Sequence, residues 1–156
     1  MTLLTAEMRS MVGTSRTYRA PEAFGEAAAR YFALAIGDSN PMYAEKKILP
    51  PTLLCETNQY ANLPINEDGY AGHLWQLDIP GTRLLRGGNS YRFYQYAKTS
   101  DVVTAVWTID DISERVNSRG MSIVTMLSSA SYRNQNDELI ATNSETLFWL
   151  EIVGQK

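Results

Sequence analysis

The sequence predicts an α+β fold: one domain in which a helical first half covers one face of an antiparallel sheet built by the second half. Three observations carry this. Apolar residues recur at helical spacing before residue 63, alternation of strand type dominates after residue 89, and no linker, internal repeat or low-complexity tract divides the 156 residues. A chain of this length buries about 70% of the surface that its unfolded form exposes, enough for a core without disulfides or metal.

In chain order, Ala20-Pro21-Glu22 opens the first helix, with proline and an acidic side chain suited to the unpaired N–H groups of a first turn. Phe24, Ala27, Ala28, Tyr31 and Ala35 then form one apolar stripe, and Gly37 is placed to end it. Asp38-Ser39-Asn40-Pro41 is a dense turn signal, because Asp and Asn side chains bond the backbone just beyond them. Pro50-Pro51 leads into a second helix over Thr52 to Leu63, with Leu53, Leu54 and Tyr60 facing inward. Strands are expected over Asn89 to Tyr96, Asp101 to Ile109, Met121 to Tyr132 and Leu139 to Ile152. Ser118-Arg119-Gly120 and Asn134-Gln135-Asn136-Asp137 supply the turns, so the strands read as a four-stranded meander covered by the Thr52 helix.

Composition narrows the function. With 14 Lys+Arg against 17 Asp+Glu, a net charge of -3 and no basic block, the chain lacks the electrostatic footprint of a nucleic-acid binder. The aromatic set Tyr91, Phe93, Tyr94 and Tyr96 reads instead as core and dimer surface. Apolar runs of only a few residues imply no membrane span, and a cytoplasmic protein is expected. Cys55 and His73 are each the single residue of their type, so structural zinc cannot be built from this chain alone, and no cofactor is implied. No flanking motif marks Cys55 and His73 as a nucleophilic pair, and Cys55 amid Leu53 and Leu54 reads as a packed thiol. Gly87-Gly88 has neither the spacing nor the following helix of a dinucleotide fingerprint.

The segments running from Tyr31 through Gly37-Asp38-Ser39-Asn40-Pro41-Met42-Tyr43, then Ile48 to Leu54, resemble the MaoC-like hotdog dehydratases. Leu85 to Phe93, Ser100 to Val103 and Tyr132 to Gln135 are similar to the strand half of that family, so the likeness spans nearly the whole chain. It is nearest to the N-terminal or non-catalytic hotdog unit of hydroxyacyl-thioester dehydratases and (R)-specific enoyl-CoA hydratases. The resemblance implies a single hotdog domain over residues 1–156, its curled sheet wrapped around a central helix. It also implies an acyl thioester of coenzyme A or acyl carrier protein as substrate, and a homodimer or a heterodimer with a second hotdog subunit.

In complete members of the family an Asp-x-Asn-Pro-x-His loop supplies the proton-handling pair that adds water to a 2-enoyl thioester. Such chemistry needs two groups, one to deprotonate water and one to protonate the α carbon. The matching positions here are Asp38, Asn40 and Tyr43, so tyrosine stands where the family has histidine. A phenol is a donor but a poor base at neutral pH. The family's His-Gly entry to the central helix, whose glycine N–H polarises the thioester, is matched by Pro50-Pro51, and proline has no N–H. The resemblance places Pro51, Thr52, Arg86, Gly88 and Asn89 at the substrate, Arg86 where relatives carry a histidine. His73, between two glycines and two aromatics, is either a loop histidine or a replacement imidazole. Three functions stay open. They are a degenerate subunit beside a catalytic partner, a stand-alone dehydratase, isomerase or cyclase using Asp38 with Tyr43 or His73, and an acyl-thioester-binding protein without turnover.

Overall fold

The computed structural model describes residues 2–55, 58–67, 69–70 and 72–152. A short helix α1 (Ala6–Ser10) is capped by Thr5, whose hydroxyl accepts the Met8 N–H at 3.2 Å. It is followed by β1 (Ser15–Arg19), α2 (Gly25–Ala35) and α3 (Met42–Glu45). Two 3-10 turns (Pro51–Leu54 and Asn58–Tyr60) lead to β2 (Thr82–Phe93), β3 (Thr104–Val116), β4 (Ser122–Arg133) and β5 (Leu139–Glu151).

The five strands form one antiparallel sheet in the order β1-β3-β4-β5-β2. This corrects the simple meander. The strands β3, β4 and β5 do follow one another as hairpins, but β2 pairs with β5 at one edge, and β1, unread in the sequence, pairs with β3 at the other. The cause lies in the connection over residues 94–103. It bonds to the segment entering the central turns, with Leu49 N–H donating to Ala97 O at 2.8 Å and Ile48 bridging Lys98, and so delivers β3 to the far side of the sheet. Bulges at Arg86/Gly88 and Ile109/Asp111 bend the long strands and curl the sheet. At the first of them only glycine fits, because a Cβ on Gly87 would run into the Phe148 ring.

On the concave face Val103, Ala105, Trp107 and Ile109 meet Val124, Met126, Leu147 and Trp149 to form the core. Residues 51–55 and 58–60 lie across that face, with Leu53, Leu54 and Tyr60 buried and the Trp107 indole N–H donating to the Tyr60 hydroxyl at 2.7 Å. This is the hotdog arrangement. The expected helix over Thr52 to Leu63 is replaced by the two 3-10 turns; residues 56 and 57 lie outside the described residues. Side chains compete for the backbone here. The Gln59 side-chain amide donates to Leu54 O at 2.9 Å and to Cys55 O at 3.4 Å, carbonyls that backbone amides would take in an α-helix, and the Asn58 amide donates to Glu22 O at 2.6 Å.

The α2 helix starts at Gly25 rather than at Pro21, and it buries a different side from the expected one. Ala29 and Ala33 face the protein, while Tyr31 is 64% exposed. Both sets obey helical spacing, and the side that carries Ala29, a member of the core cluster, and Ala33 is the one that finds partners. No helix among the described residues is long and apolar enough to cross a membrane.

Candidate active site

The loop after α2 is built by its own side chains. Gly37 takes a left-handed φ of 71° and ends the helix, and the Asp38 N–H returns to Ala33 O at 2.9 Å. Asp38 Oδ1 then accepts the Asn40 N–H at 3.1 Å, and Asn40 Oδ1 accepts the Met42 N–H at 3.1 Å. Two successive Asx turns, with Pro41 entering α3, fold the chain back on itself. The result is that Tyr43 reaches Asp38: its hydroxyl donates to Asp38 Oδ2 at 2.5 Å.

That bond sets the chemistry of the phenol. Losing its proton would break the bond to Asp38 and place two negative charges together in a half-buried site. The Tyr43 pKa is therefore pushed up to about 12, first by the hydrogen bond to Asp38, then by burial and by the Asp38 charge. The Tyr96 phenol adds to the rise, and a bond from Asn40 opposes it. At neutral pH Tyr43 is a proton donor only, and Asp38 is the group that can accept.

Asp38, Asn40 and Tyr43 line one wall of a cavity of about 250 Å³ whose other wall, from α2, is Ala29, Ala33 and Leu34 with the charged Glu26 and Arg30. Glu26 in that wall is ion-paired to the exposed Lys47 at 2.8 Å. A second cavity, of about 310 Å³, lies between the first 3-10 turn and the exit of β2. Its walls are chiefly Leu49, Pro50, Pro51, Leu54, Phe93 and Ile140, and Tyr96 stands in its lining too. Tyr96, half exposed, thus belongs to the apolar cavity while acting on Tyr43. The sequence predicts a strand ending at Tyr96 and reads this ring as core and dimer surface, whereas β2 stops at Phe93 and the chain beyond it turns Tyr96 into the cavity.

The other anticipated residues lie elsewhere. Pro51 lines the apolar cavity, whereas Thr52 is exposed and lines neither. Arg86, Gly88 and Asn89 sit on β2 beside β5. The Arg86 guanidinium donates to the Tyr70 hydroxyl at 3.2 Å and to His73 O at 3.4 Å, and its Nε lies 3.8 Å from Glu145 Oε1. This arginine ties Tyr70 and His73 to the sheet. Asn89 accepts from the Asn143 side chain at 2.8 Å.

His73 is not brought to Asp38. Its ring is buried, stacked on Trp107 with centroids 4.3 Å apart and edge-on to Trp75, with Nδ1 3.0 Å from the Tyr18 hydroxyl. Burial, with Arg16 and Arg86 nearby, pushes its pKa down to about 3, so it stays neutral. Cys55 is buried with its thiol 3.9 Å from Pro51 O, on different partners from His73.

The family model described as FAS1-like, dehydratase domain region matches residues 10–143. The chain belongs to this family. Among curated proteins it is 28% identical over 114 residues to the UPF0336 protein SCO4636 of Streptomyces coelicolor, covering 67% of this chain and 72% of that protein. Among solved structures it is similar to the ChsH1-ChsH2 complex from Mycobacterium tuberculosis, with a TM-score of 0.69 at 14% identity, covering 96% of this chain and 90% of the other. It is also similar to the HadBC (3R-hydroxyacyl-ACP dehydratase) complex of the same organism, at a TM-score of 0.59 and 19% identity, covering 88% and 96%. The hotdog fold and the dehydratase family anticipated from the sequence are thus both found.

Proposed function

We propose that this chain is one hotdog subunit of a 2-enoyl-thioester hydratase or 3-hydroxyacyl-thioester dehydratase. In this reading it binds the acyl chain of a coenzyme A or acyl-carrier thioester and works beside a second hotdog subunit that supplies an imidazole. One observation carries the reading: the tyrosine at the family's histidine position donates to Asp38 and holds its own proton, so the pair has no second base for water. The apolar cavity walled by Pro50 and Pro51 supports a role in holding the acyl chain, since those prolines exchange an N–H for apolar surface. The edge position of β2, bonded along one side to β5, supports pairing of sheets between two subunits. Both similar structures are described as complexes of two named components.

The test follows loss of enoyl-thioester absorbance with crotonyl-CoA and a longer 2-enoyl-CoA. The chain alone is expected to leave both unchanged, and mixing it with a hotdog subunit that carries an intact Asp-x-Asn-Pro-x-His loop is expected to restore turnover. Hydration by the isolated chain at the rate of the mixture would overturn this reading.

A further inference from the structure

Adding water to an enoyl thioester asks for two proton-handling groups beside the water; shifting a double bond asks for less. One carboxylate that carries a single proton, and one neutral donor that holds the oxygen of an enolate, are sufficient to enolise a carbonyl compound and return the proton to a different carbon. The loop after α2 provides that set. The Asp38 carboxylate and the Tyr43 hydroxyl line the same cavity of about 250 Å³, 2.5 Å from each other, with Ala29, Ala33 and Leu34 and the charged Glu26 and Arg30. Pro51 cannot offer a backbone N–H to a thioester oxygen, and among the donors that line this cavity, Arg30, Ser39, Asn40 and Thr99 included, the Tyr43 phenol is the one that bonds the Asp38 side chain.

We propose that Asp38 and Tyr43 form a carboxylate–phenol pair that moves the double bond of an enoyl thioester between its 3 and 2 positions. The inference rests on the thioester-binding reading above and extends it to an activity of this chain alone. In the step, the phenol turns from Asp38 to the thioester oxygen and frees Oδ2. Asp38 then takes a proton from the α carbon of a 3-enoyl thioester; the C–H electron pair forms the enolate, whose oxygen accepts the Tyr43 hydrogen bond. As the C=O bond re-forms, the enolate electrons become the bond between the α and β carbons, and the displaced π pair takes the proton from Asp38 at the γ carbon. No atom is gained or lost, nothing is oxidised, and no water takes part.

The experiment gives the purified full chain 3-hexenoyl-CoA and follows the rise of conjugated enoyl-thioester absorbance. Binding is read separately by tryptophan fluorescence, and folding of each variant by near-ultraviolet circular dichroism. The expected result is conversion by the wild type and at least a tenfold loss in both Asp38→Asn and Tyr43→Phe with folding kept. With 3-hexenoyl-CoA deuterated at the α carbon, deuterium should pass to the γ carbon of the product. Absence of conversion by a chain that binds the thioester overturns the isomerase while leaving the subunit reading standing. Absence of binding overturns both. Wild-type rates in either folded variant overturn the assignment of the pair.

Discussion

The Trp107 indole N–H donates to the Tyr60 hydroxyl at 2.7 Å, both groups buried, and this bond joins the central turns to the concave face of the sheet. Tyr60 also meets the edge of Tyr18 from β1, with centroids 5.3 Å apart, so one side chain connects three elements. Tyr60→Phe keeps the ring and strands a buried donor, which costs about 1–3 kcal/mol. The expected outcome is a lower urea midpoint with an unchanged slope. A midpoint equal to the wild type would show that the indole finds another partner.

His73 predicts an acid-sensitive fold. Its pKa in the native state is pushed down to about 3 from 6.5, so between those values the unfolded chain binds a proton that the folded chain refuses. The contribution is fully present above pH 6.5 and is lost as pH falls towards 3, at no more than about 1.4 kcal/mol per pH unit. His73→Phe retains the stack on Trp107 and removes the titration. Across that range its thermal midpoint should fall less steeply than the wild type's; parallel curves would place the acid sensitivity elsewhere.

Tyr43 and Pro51 predict a graded gain of hydration. Tyr43→His returns an imidazole to the family's position, and crotonyl-CoA hydration by the isolated chain should become measurable. Adding Pro51→Gly returns the backbone N–H, and a restored oxyanion donor should add at least about tenfold in kcat. Kinetic assay of the single and double variants checks both steps. An inactive double variant in a folded chain would mean that the loop and the central turn do not address a common thioester.

Much of this was legible in the residues. Asp38, Asn40 and Pro41 announced a turn that the structure builds from their own side chains, and Asn134 to Asp137 announced the β4–β5 hairpin. The strands β4 and β5 fall within a residue or so of their expected limits. The loss of an imidazole at Tyr43 and of an N–H at Pro51 is likewise a fact of covalent chemistry, readable before any fold is known.

What the sequence determined by itself is local: turns, alternation and the chemical types at the family's positions depend on residues within a few places of one another. Only the tertiary structure decided that β2 crosses to β5, that Ala29 and Ala33 rather than Tyr31 face inward, and that His73 is enclosed between tryptophans far from the Asp38 loop's partners. It also decided that the Tyr43 phenol closes onto Asp38 and that Tyr96 reaches the same group. The physical reason is that strand pairing, burial and the field around a titrating group are summed over elements distant in the chain, and periodicity cannot specify which of two equally regular faces finds a partner.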